Sequence, residues 1–280
     1  MDRAGKAASS QLKLHRVLRR ALRIAHRRGL VVRNIADLID PPTVEDSKFV
    51  AMTEEYTAKV LDLVRDRRNG VRWSVAFALG LRQGEAIGLR WEVDGQVLVD
   101  LEAAELHVWW QLVRRRWRHG CTSAPCGKKR GADCPQRHGG GLVWVKTKGK
   151  SRRSIPLPPE LVPALRRHRA AQKRDRLAFP GEWPGHGAVF THEDGRLIDP
   201  REDYDEWVGI LRAAGVPHRK LHIMRHTAAT MLLAQGVDIR TVQKILGHRD
   251  IRTTSIYTQG ADELMRDAAK AIGRKLFGHQ

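Results

Sequence analysis

The sequence predicts a mainly α fold with a small antiparallel β-sheet of about three strands, an α+β arrangement. Long stretches carry apolar residues at helical spacing, and residues 201–280 contain several of them, separated at Gly215-Val216-Pro217, Gly236 and Gly247. In the middle of the chain, by contrast, residues 96–110 and 141–158 are rich in Val, Leu, Ile and Trp with turn residues between, which is typical of strands.

Length and charge narrow the class of protein. A chain of 280 residues with 41% hydrophobic residues can form one large domain, or one domain with an appendage. Lys and Arg number 51 against 31 Asp and Glu, a net charge of +20, so nucleic acid is the first partner to consider and a membrane surface the weaker one. No apolar run approaches the roughly 20 residues that span a bilayer. The basic first 29 residues lack the apolar core of a signal peptide, and three cysteines suit a reducing cytoplasm, which is the expected location.

The N-terminal region predicts a helix, a linker and a second helix. Leucines and Val17 at helical spacing predict a helix over residues 1–38. The Pro-Pro pair at 41–42 marks the best candidate for a linker. Thr53 is a plausible N-cap of the next helix, although Tyr56 at the third position means that a capping box is absent.

The middle of the chain adds two more predictions. Residues 71–91 read as a strongly apolar helix, a Gly-Leu-Arg-Gln-Gly break and the start of another helix. Residues 155–178 read as a helix opened by prolines. Between the predicted strands lies a basic, Gly-rich segment, 113–141, which contains all three cysteines.

His222 and Arg225 are the first candidate site residues. They stand at positions i and i+3 of a predicted apolar helix, which places both side chains on one face. Two donor groups held together in a protein of charge +20 suit a phosphate. Taken alone, a core histidine and a paired arginine would explain the motif equally simply.

Further motifs accompany His222 and Arg225 along the chain. The stretches "LGLRQGEA", "HIMRHT", "LLAQGVD", "KILGH" and "TTSIYT" occur in that order. The set resembles the phage integrase, or tyrosine recombinase, family over roughly residues 49–270. The resemblance implies a tyrosine recombinase catalytic-domain fold and site-specific cleavage and rejoining of DNA strands through a 3′-phosphotyrosyl intermediate, as in integration or excision of a phage or mobile element.

The resemblance also implies roles for individual residues. Arg82 and Arg225 would bind the non-bridging oxygens of the DNA phosphate, and Tyr257 would attack phosphorus. His222 and His248 would donate hydrogen bonds to the phosphate or help to move the tyrosine proton. No metal is required for this chemistry.

Two lysines compete for the role of general acid. In the family a lysine on a β-hairpin protonates the departing 5′-hydroxyl, and residues 143–158 resemble that hairpin. The Lys-Thr-Lys pattern favours Lys146, whereas counting back from Ile155-Pro156 favours Lys148. The remaining cations, Lys150, Arg152 and Arg153, read as a basic patch that follows phosphates. Glu85 is expected to orient Arg82 or to cap the next helix.

The Cys-containing segment suggests a second kind of site. Five possible ligands lie between positions 119 and 138, and tetrahedral Zn²⁺ is the alternative to a flexible loop with reduced thiols. The short list of zinc candidates is Cys121, Cys126, Cys134 and His138, with His119 as the fifth ligand in reach. Any such zinc would be structural.

The resemblance implies an organisation and partners. Residues 1–40 resemble only the final helices of the family's core-binding clamp, residues 41–50 a linker, and residues 51–280 the catalytic domain, with the insertion at 113–141. The expected partner is double-stranded attachment-site DNA, bound by a homotetramer in the nucleoid. The alternatives are a non-catalytic DNA-binding remnant or regulator of an integrase and, sharing the same site, a topoisomerase-like enzyme.

Overall fold

The computed structural model describes residues 7–44, 51–121, 126–147, 152–248 and 250–255. The chain forms two compact units, residues 1–49 and 50–280. In the first unit, helix α1 covers Ala8–Arg27 and a 3₁₀ turn covers Ile35–Asp37.

Helix α1 ends earlier than the predicted limit at residue 38. Gly29 has φ +70°, a left-handed conformation that glycine adopts without steric cost and that ends the helix. The chain then folds back, and the Nδ2 atom of Asn34 donates to the carbonyl of Arg19 at 3.1 Å. Arg19 also forms an ion pair with Asp37. The apolar spacing beyond residue 27 therefore belongs to a turn.

The second unit contains the remaining described helices: α2 (Glu54–Val64), α3 (Gly70–Leu79), α4 (Gln83–Ile87), α5 (Leu161–Ala178), α6 (Pro200–Ala213), α7 (Ile223–Ala234), α8 (Ile239–Leu246) and α9 (Arg252–Ser255). Thr53 caps α2, as predicted, by accepting a hydrogen bond from the amide of Tyr56 at 3.2 Å. Asp199 caps α6, with Pro200 at the first helical position and a reciprocal contact from Glu202.

The strands are β1 (Glu92–Val93), β2 (Gln96–Val97), β3 (Val99–Asp100), β4 (Glu105–Val108), β5 (Trp110–Arg115), β6 (Gly141–Lys146) and β7 (Arg153–Pro156). Strands β3, β4 and β7 form a three-stranded antiparallel sheet. Strands β5 and β6 pair antiparallel, as do β1 and β2. The mainly α fold with small antiparallel sheets is thus confirmed.

The expectation that residues 143–158 form a hairpin by themselves is wrong. Strand β6 pairs with β5, and β7 pairs with β4, so that both run antiparallel to the almost continuous strand 105–115. The amide of Thr147 still donates to the carbonyl of Trp109 at 2.8 Å, which carries this pairing past the end of β6. The described strands β4 to β7 thus form the two arms of one long hairpin, in which β4 and β7 belong to the three-stranded sheet and β5 and β6 extend beyond it. We call the segment between β5 and β6, residues 116–140, the tip of this long hairpin.

Helix α3 lies between two apolar clusters of the second unit. Val75 and Leu79 pack with the sheet and with α5. Trp73 stacks on Trp207 of α6 with ring centroids 5.4 Å apart. Next to this stack, the buried guanidinium of Arg72 forms an ion pair with Asp203 at 2.6 Å. In the part of the chain that the structure describes, no helix is long and apolar enough to cross a membrane.

Candidate active site

The break between α3 and α4 allows three helices to meet. Gly80 ends α3 with φ +59°, and a Cβ atom at this position would lie 2.3 Å from the Cδ2 atom of Leu246 in α8. The carbonyl of Gly80 accepts a hydrogen bond at 2.8 Å from the Nη1 atom of Arg225 in α7. A residue with a side chain would separate these helices, so glycine is required here.

A buried carboxylate lies between two arginines directly after this break. Glu85 is 1% exposed. Its Oε1 atom accepts from Nη1 of Arg82 at 2.6 Å, and its Oε2 atom accepts from Nη2 of Arg153 at 2.9 Å. Oε2 also accepts from the backbone amide of Arg82 at 3.0 Å, so that Glu85 both orients the Arg82 side chain and caps α4.

The charge balance around Glu85 favours its ionised form. Burial tends to raise the pKa of this carboxyl, but the charge and hydrogen bonds of Arg153, with a further contribution from Arg82, lower it below the ordinary glutamate value. Two guanidinium groups share this carboxylate, and Arg225 adds a third guanidinium that is bound to backbone carbonyls and to His248. We name this group, Arg82, Arg153 and Arg225 around Glu85, the arginine cluster; its net charge suits an anion.

Arg225 is the deepest member of the cluster, with 1% exposure. Besides its bond to Gly80, its Nη2 atom donates to the carbonyl of Leu246 at 2.6 Å, and its Nε atom donates to Nε2 of His248 at 3.2 Å. The two carbonyls come from the ends of α3 and α8. The orientation of the guanidinium is therefore fixed by backbone, which is the rigid support that a phosphate-binding arginine needs.

The bonds of His248 specify its protonation state. Because Nε of Arg225 can only donate, Nε2 of His248 accepts, and the proton lies on Nδ1. Nδ1 is 2.9 Å from the hydroxyl oxygen of the fully buried Thr254. Burial, together with the charges of Arg225 and Arg82, lowers the pKa of His248 to about 3. His248 is a neutral imidazole throughout the physiological range.

His222 lies at the exposed edge of the same region. It is the N-cap residue of α7, and its ring contacts His226 edge-on with a centroid distance of 4.6 Å. Burial of the ring atoms and the charges of Arg225 and Arg82 lower the pKa of His222. Burial, with smaller contributions from His222 and Arg225, lowers the pKa of His226 to about 4. Both histidines can therefore donate from a neutral ring.

The structure thus brings together most of the residues predicted for the site. Arg82 and His222 are its accessible members: the side chain of Arg82 is 36% exposed, whereas Arg225 and His248 lie behind them. Gly247 closes the group, because its carbonyl accepts from Nη2 of Arg82 at 3.4 Å.

Lys146 occupies a basic, aromatic groove on the long hairpin. Its Nζ atom lies 5.5 Å from the ring centroid of Trp110, and the guanidinium of Arg152 stacks on Trp109 at 3.9 Å. These side chains line a groove of about 390 Å³. Cations alternating with indole rings suit a nucleic acid backbone and its bases. Lys148, the competing general acid, and Lys150 lie outside the described residues.

The proposed nucleophile, Tyr257, also lies outside the described residues. The described chain ends at Ser255, directly after Thr254. Thr254, next to this last described residue, contacts His248.

The group of possible zinc ligands in the structure differs from the predicted short list by one residue. His119, Cys121, Cys126 and Cys134 place their ligand atoms within 4.8 Å of one another, whereas His138 is not part of the group. The reason is strand alternation. His138 forms an antiparallel bridge with Arg118, and successive side chains point to opposite faces, so His119 points away from the face that carries His138.

Arg153 is the cluster residue whose function the sequence reading missed. It had been assigned to a basic patch that follows phosphates, but it is 9% exposed, and its Nε atom donates to the carbonyl of Ile245 at 2.6 Å. A signal was present in the sequence. Arg153, Ile155 and Leu157 alternate with exposed residues, so the same face of the strand that buries Ile155 also buries Arg153.

Comparisons with known proteins indicate the same family as the sequence motifs. A sequence profile of the phage integrase family matches residues 137–263. An integrase of Saccharopolyspora erythraea is 32% identical over 99% of this chain and 69% of its own length. A XerC-like tyrosine recombinase of Caldanaerobacter subterraneus subsp. tengcongensis is 31% identical over 96% of this chain and 66% of its own length.

Solved structures support the same fold. The Tn1549 transposon integrase, in complex with a circular intermediate DNA, has a TM-score of 0.70 at 19% identity, covering 95% of this chain and 81% of that one. A lambda integrase dimer bound to a core site has a TM-score of 0.54 at 14% identity, covering 93% and 76%. At these identities the likeness shows the fold, which is that of a tyrosine recombinase catalytic domain.

Proposed function

The chain belongs to the phage integrase family of tyrosine recombinases, and from that premise we propose that it cleaves and rejoins DNA strands at specific sites through a 3′-phosphotyrosyl intermediate. The arginine cluster is the observation that carries the proposal. Its guanidinium groups are oriented before substrate arrives, by Glu85 and by the carbonyls of Gly80 and Leu246.

The proposed chemistry is phosphoryl transfer in which charge stabilisation does most of the work. A phosphodiester gains negative charge on its non-bridging oxygens as phosphorus becomes pentacoordinate. Arg82 and His222 are accessible to those oxygens, and Arg225 adds a second positive charge from a fixed position. His248 remains neutral and holds Arg225 through its Nε2 atom. Tyrosine recombinases need no metal cofactor for this step.

In the covalent step, we assign Tyr257 as the nucleophile. Its oxygen forms a bond to phosphorus, its proton passes to a basic group or water, and the bond from phosphorus to the 5′-oxygen breaks. The 5′-oxygen takes up a proton and leaves as a hydroxyl. Thr254, three residues before Tyr257 in the sequence, contacts His248 of the site, which supports this assignment.

The proton for the leaving oxygen is assigned to Lys146, with Lys148 as the alternative. Lys146 stands at the end of β6, in the groove with Trp110 and Arg152. A lysine ammonium can protonate an alkoxide as the bond to phosphorus breaks. Arg152, in the same groove, can bind neighbouring phosphates.

The substrate that we propose is double-stranded attachment-site DNA of a mobile element, held in the nucleoid by four copies of the chain. The net charge of +20 supports a polyanionic partner. Within this organisation we assign residues 1–40 to the end of a DNA clamp, 41–50 to a linker and 51–280 to catalysis. Zinc, if bound by the Cys/His group, is structural.

A covalent trapping experiment tests the proposal. With a duplex nicked near the cleavage position, the short fragment that carries the 5′-hydroxyl diffuses away and leaves the protein attached to the 3′-phosphate. Tyr257→Phe should form no adduct but retain DNA binding, whereas Tyr204→Phe, which alters an exterior tyrosine of α6, should form it normally. An adduct of unchanged yield with Tyr257→Phe, or none with the unaltered chain on any attachment-site DNA, contradicts the proposal.

A further inference from the structure

The tip of the long hairpin holds a group of soft ligands that strand cleavage does not use. His119, Cys121, Cys126 and Cys134 come from both sides of the tip, and their ligand atoms all lie within 4.8 Å of one another. The Sγ atom of Cys126 is 3.3 Å from Nδ1 of His119. Ligands around a tetrahedral Zn²⁺ at bond lengths of about 2.0–2.3 Å are separated by about 3.5–3.8 Å, so only small shifts are needed to close such a site.

The tip has little else to keep it folded. Among its described residues, Cys134, at 2% exposure, is the single buried side chain. Residues 116–140 contain six Lys and Arg against one Asp, so that like charges repel one another. Trp117 covers Gly140 and stacks with Arg137 at 4.8 Å, but it is only half-buried. A segment without a core of this kind gains its stability from a cross-link or a metal.

Backbone N–H groups donate to the sulfur atoms of this group, as they do to thiolates. The backbone amides of Gly120 and Gln136 both donate to the sulfur of Cys134. The backbone amide of Lys128 donates to the sulfur of Cys126. Three sulfur atoms this close together, with backbone N–H groups donating to two of them, suit a bound cation.

We propose that His119, Cys121, Cys126 and Cys134 bind one Zn²⁺ as a closed structural site that folds the tip of the long hairpin. Three cysteines and one histidine form an established ligand set for structural zinc, and four protein ligands leave no open position for a substrate. His119 binds through Nδ1, the atom that faces Cys126. The inference does not depend on the proposed recombinase activity, because the site has its own ligands and its own measurable occupant.

A disulfide is the competing use of the same cysteines. Three sulfur atoms in one group would leave one thiol unpaired after oxidation, and all three cysteines are free thiols in this structure. A metal uses all three sulfur atoms together with the histidine, which a disulfide leaves without a role.

Metal content of the full chain, purified under reducing conditions, tests the site directly. We expect one zinc per chain by elemental analysis. Cobalt exchanged for zinc should show thiolate-to-cobalt charge-transfer bands and the ligand-field bands of a tetrahedral site. His119→Ala, Cys126→Ser and Cys134→Ser should each lose stoichiometric metal, whereas the matched control His138→Ala should keep it. The cobalt spectrum of the unaltered chain gives a result even if a variant fails to fold.

Protease sensitivity tests the structural role. The tip carries six trypsin sites, and a chelator that removes the metal should accelerate cleavage within residues 116–140 by more than about tenfold, while cleavage elsewhere changes little. Added zinc should restore protection. A chain that binds no stoichiometric zinc or cobalt when reduced and reconstituted overturns the proposal, as does a disulfide between two of the cysteines in the reduced preparation. Loss of metal in His138→Ala but not in His119→Ala overturns the ligand set.

Discussion

Replacing Glu85 with glutamine should be among the most damaging single changes to the arginine cluster. The substitution keeps the shape of the side chain and removes its charge. It removes the carboxylate that pairs with the buried Arg153, and it places an amide NH₂ group against a guanidinium, so that two donors face each other. Loss of this buried ion pair is the reason for the expected loss of stability.

The contacts of Glu85 give the magnitude. Removing one partner of a buried ion pair costs about 3–5 kcal/mol. The contact with Arg153 falls in this class, because both side chains are at most 6% exposed. The contact with Arg82 adds less, because that guanidinium is 36% exposed and can turn toward water. One hydrogen bond can be kept by the glutamine oxygen, so we expect a loss of about 3 kcal/mol in the free energy of unfolding.

The loss should depend on pH with a defined sign. The pKa of Glu85 is lowered in the folded chain, so its stabilising contribution is complete above the ordinary glutamate pKa and disappears as the pH falls through the folded value. The difference between the unaltered chain and Glu85→Gln should therefore be constant near neutral pH and shrink in acid, because a protonated glutamate resembles glutamine.

Urea unfolding followed by tryptophan fluorescence measures the effect. With an m-value of about 3 kcal/mol/M, the midpoint should fall by about 1 M at pH 7. The matched control is Glu102→Gln, which breaks an exposed pair with Arg166 and should cost less than about 0.5 kcal/mol. Equal midpoints for the two variants at pH 7, or a difference that grows in acid, would refute the reasoning.

Three further predictions concern the same site. Whichever of Lys146→Ala and Lys148→Ala is slow on normal DNA should recover with a 5′-bridging sulfur, since a thiolate leaves without a proton; the assignment fails if neither variant is slow. Thr254→Val should slow adduct formation about tenfold, because a buried ring N–H loses its acceptor, while Thr253→Val, at an exposed position, should not; equal rates would contradict this role. Gly80→Ala should destabilise the fold by about 3 kcal/mol in urea, because the backbone has φ +59° and an added Cβ would lie 2.3 Å from a leucine methyl group; an unchanged midpoint would contradict it.

Local signals in the sequence were sufficient for much of the fold. Helix α2 began at its predicted cap, Thr53, whereas α5 began at Leu161 and not at the predicted residue 155, which lies in strand β7. The end of α1 was missed because the apolar spacing continues beyond Gly29, and only the left-handed backbone there shows that the helix stops. The long hairpin was missed because its two arms are separated by the tip, and pairing between distant segments leaves no local pattern.

The sequence likewise predicted one part of the candidate site and missed another. Arg82, His222, Arg225 and His248 were recognised through their motifs, and the structure brings them together. The anchoring of Arg225 by carbonyls was not visible in the sequence, because backbone acceptors have no signature in side-chain type. Strand alternation, which would have placed Arg153 in the interior, was outweighed by the basic composition around it.

The most direct test of the central claim is the identity of the residue that becomes bonded to DNA. Adduct from a nicked attachment-site duplex is digested with nuclease and protease, and the modified peptide is sequenced by tandem mass spectrometry. The chain has three tyrosines, so the assignment is unambiguous. We predict a nucleotide 3′-phosphate on Tyr257. The same modification on Tyr56, Tyr204 or a serine would contradict the account.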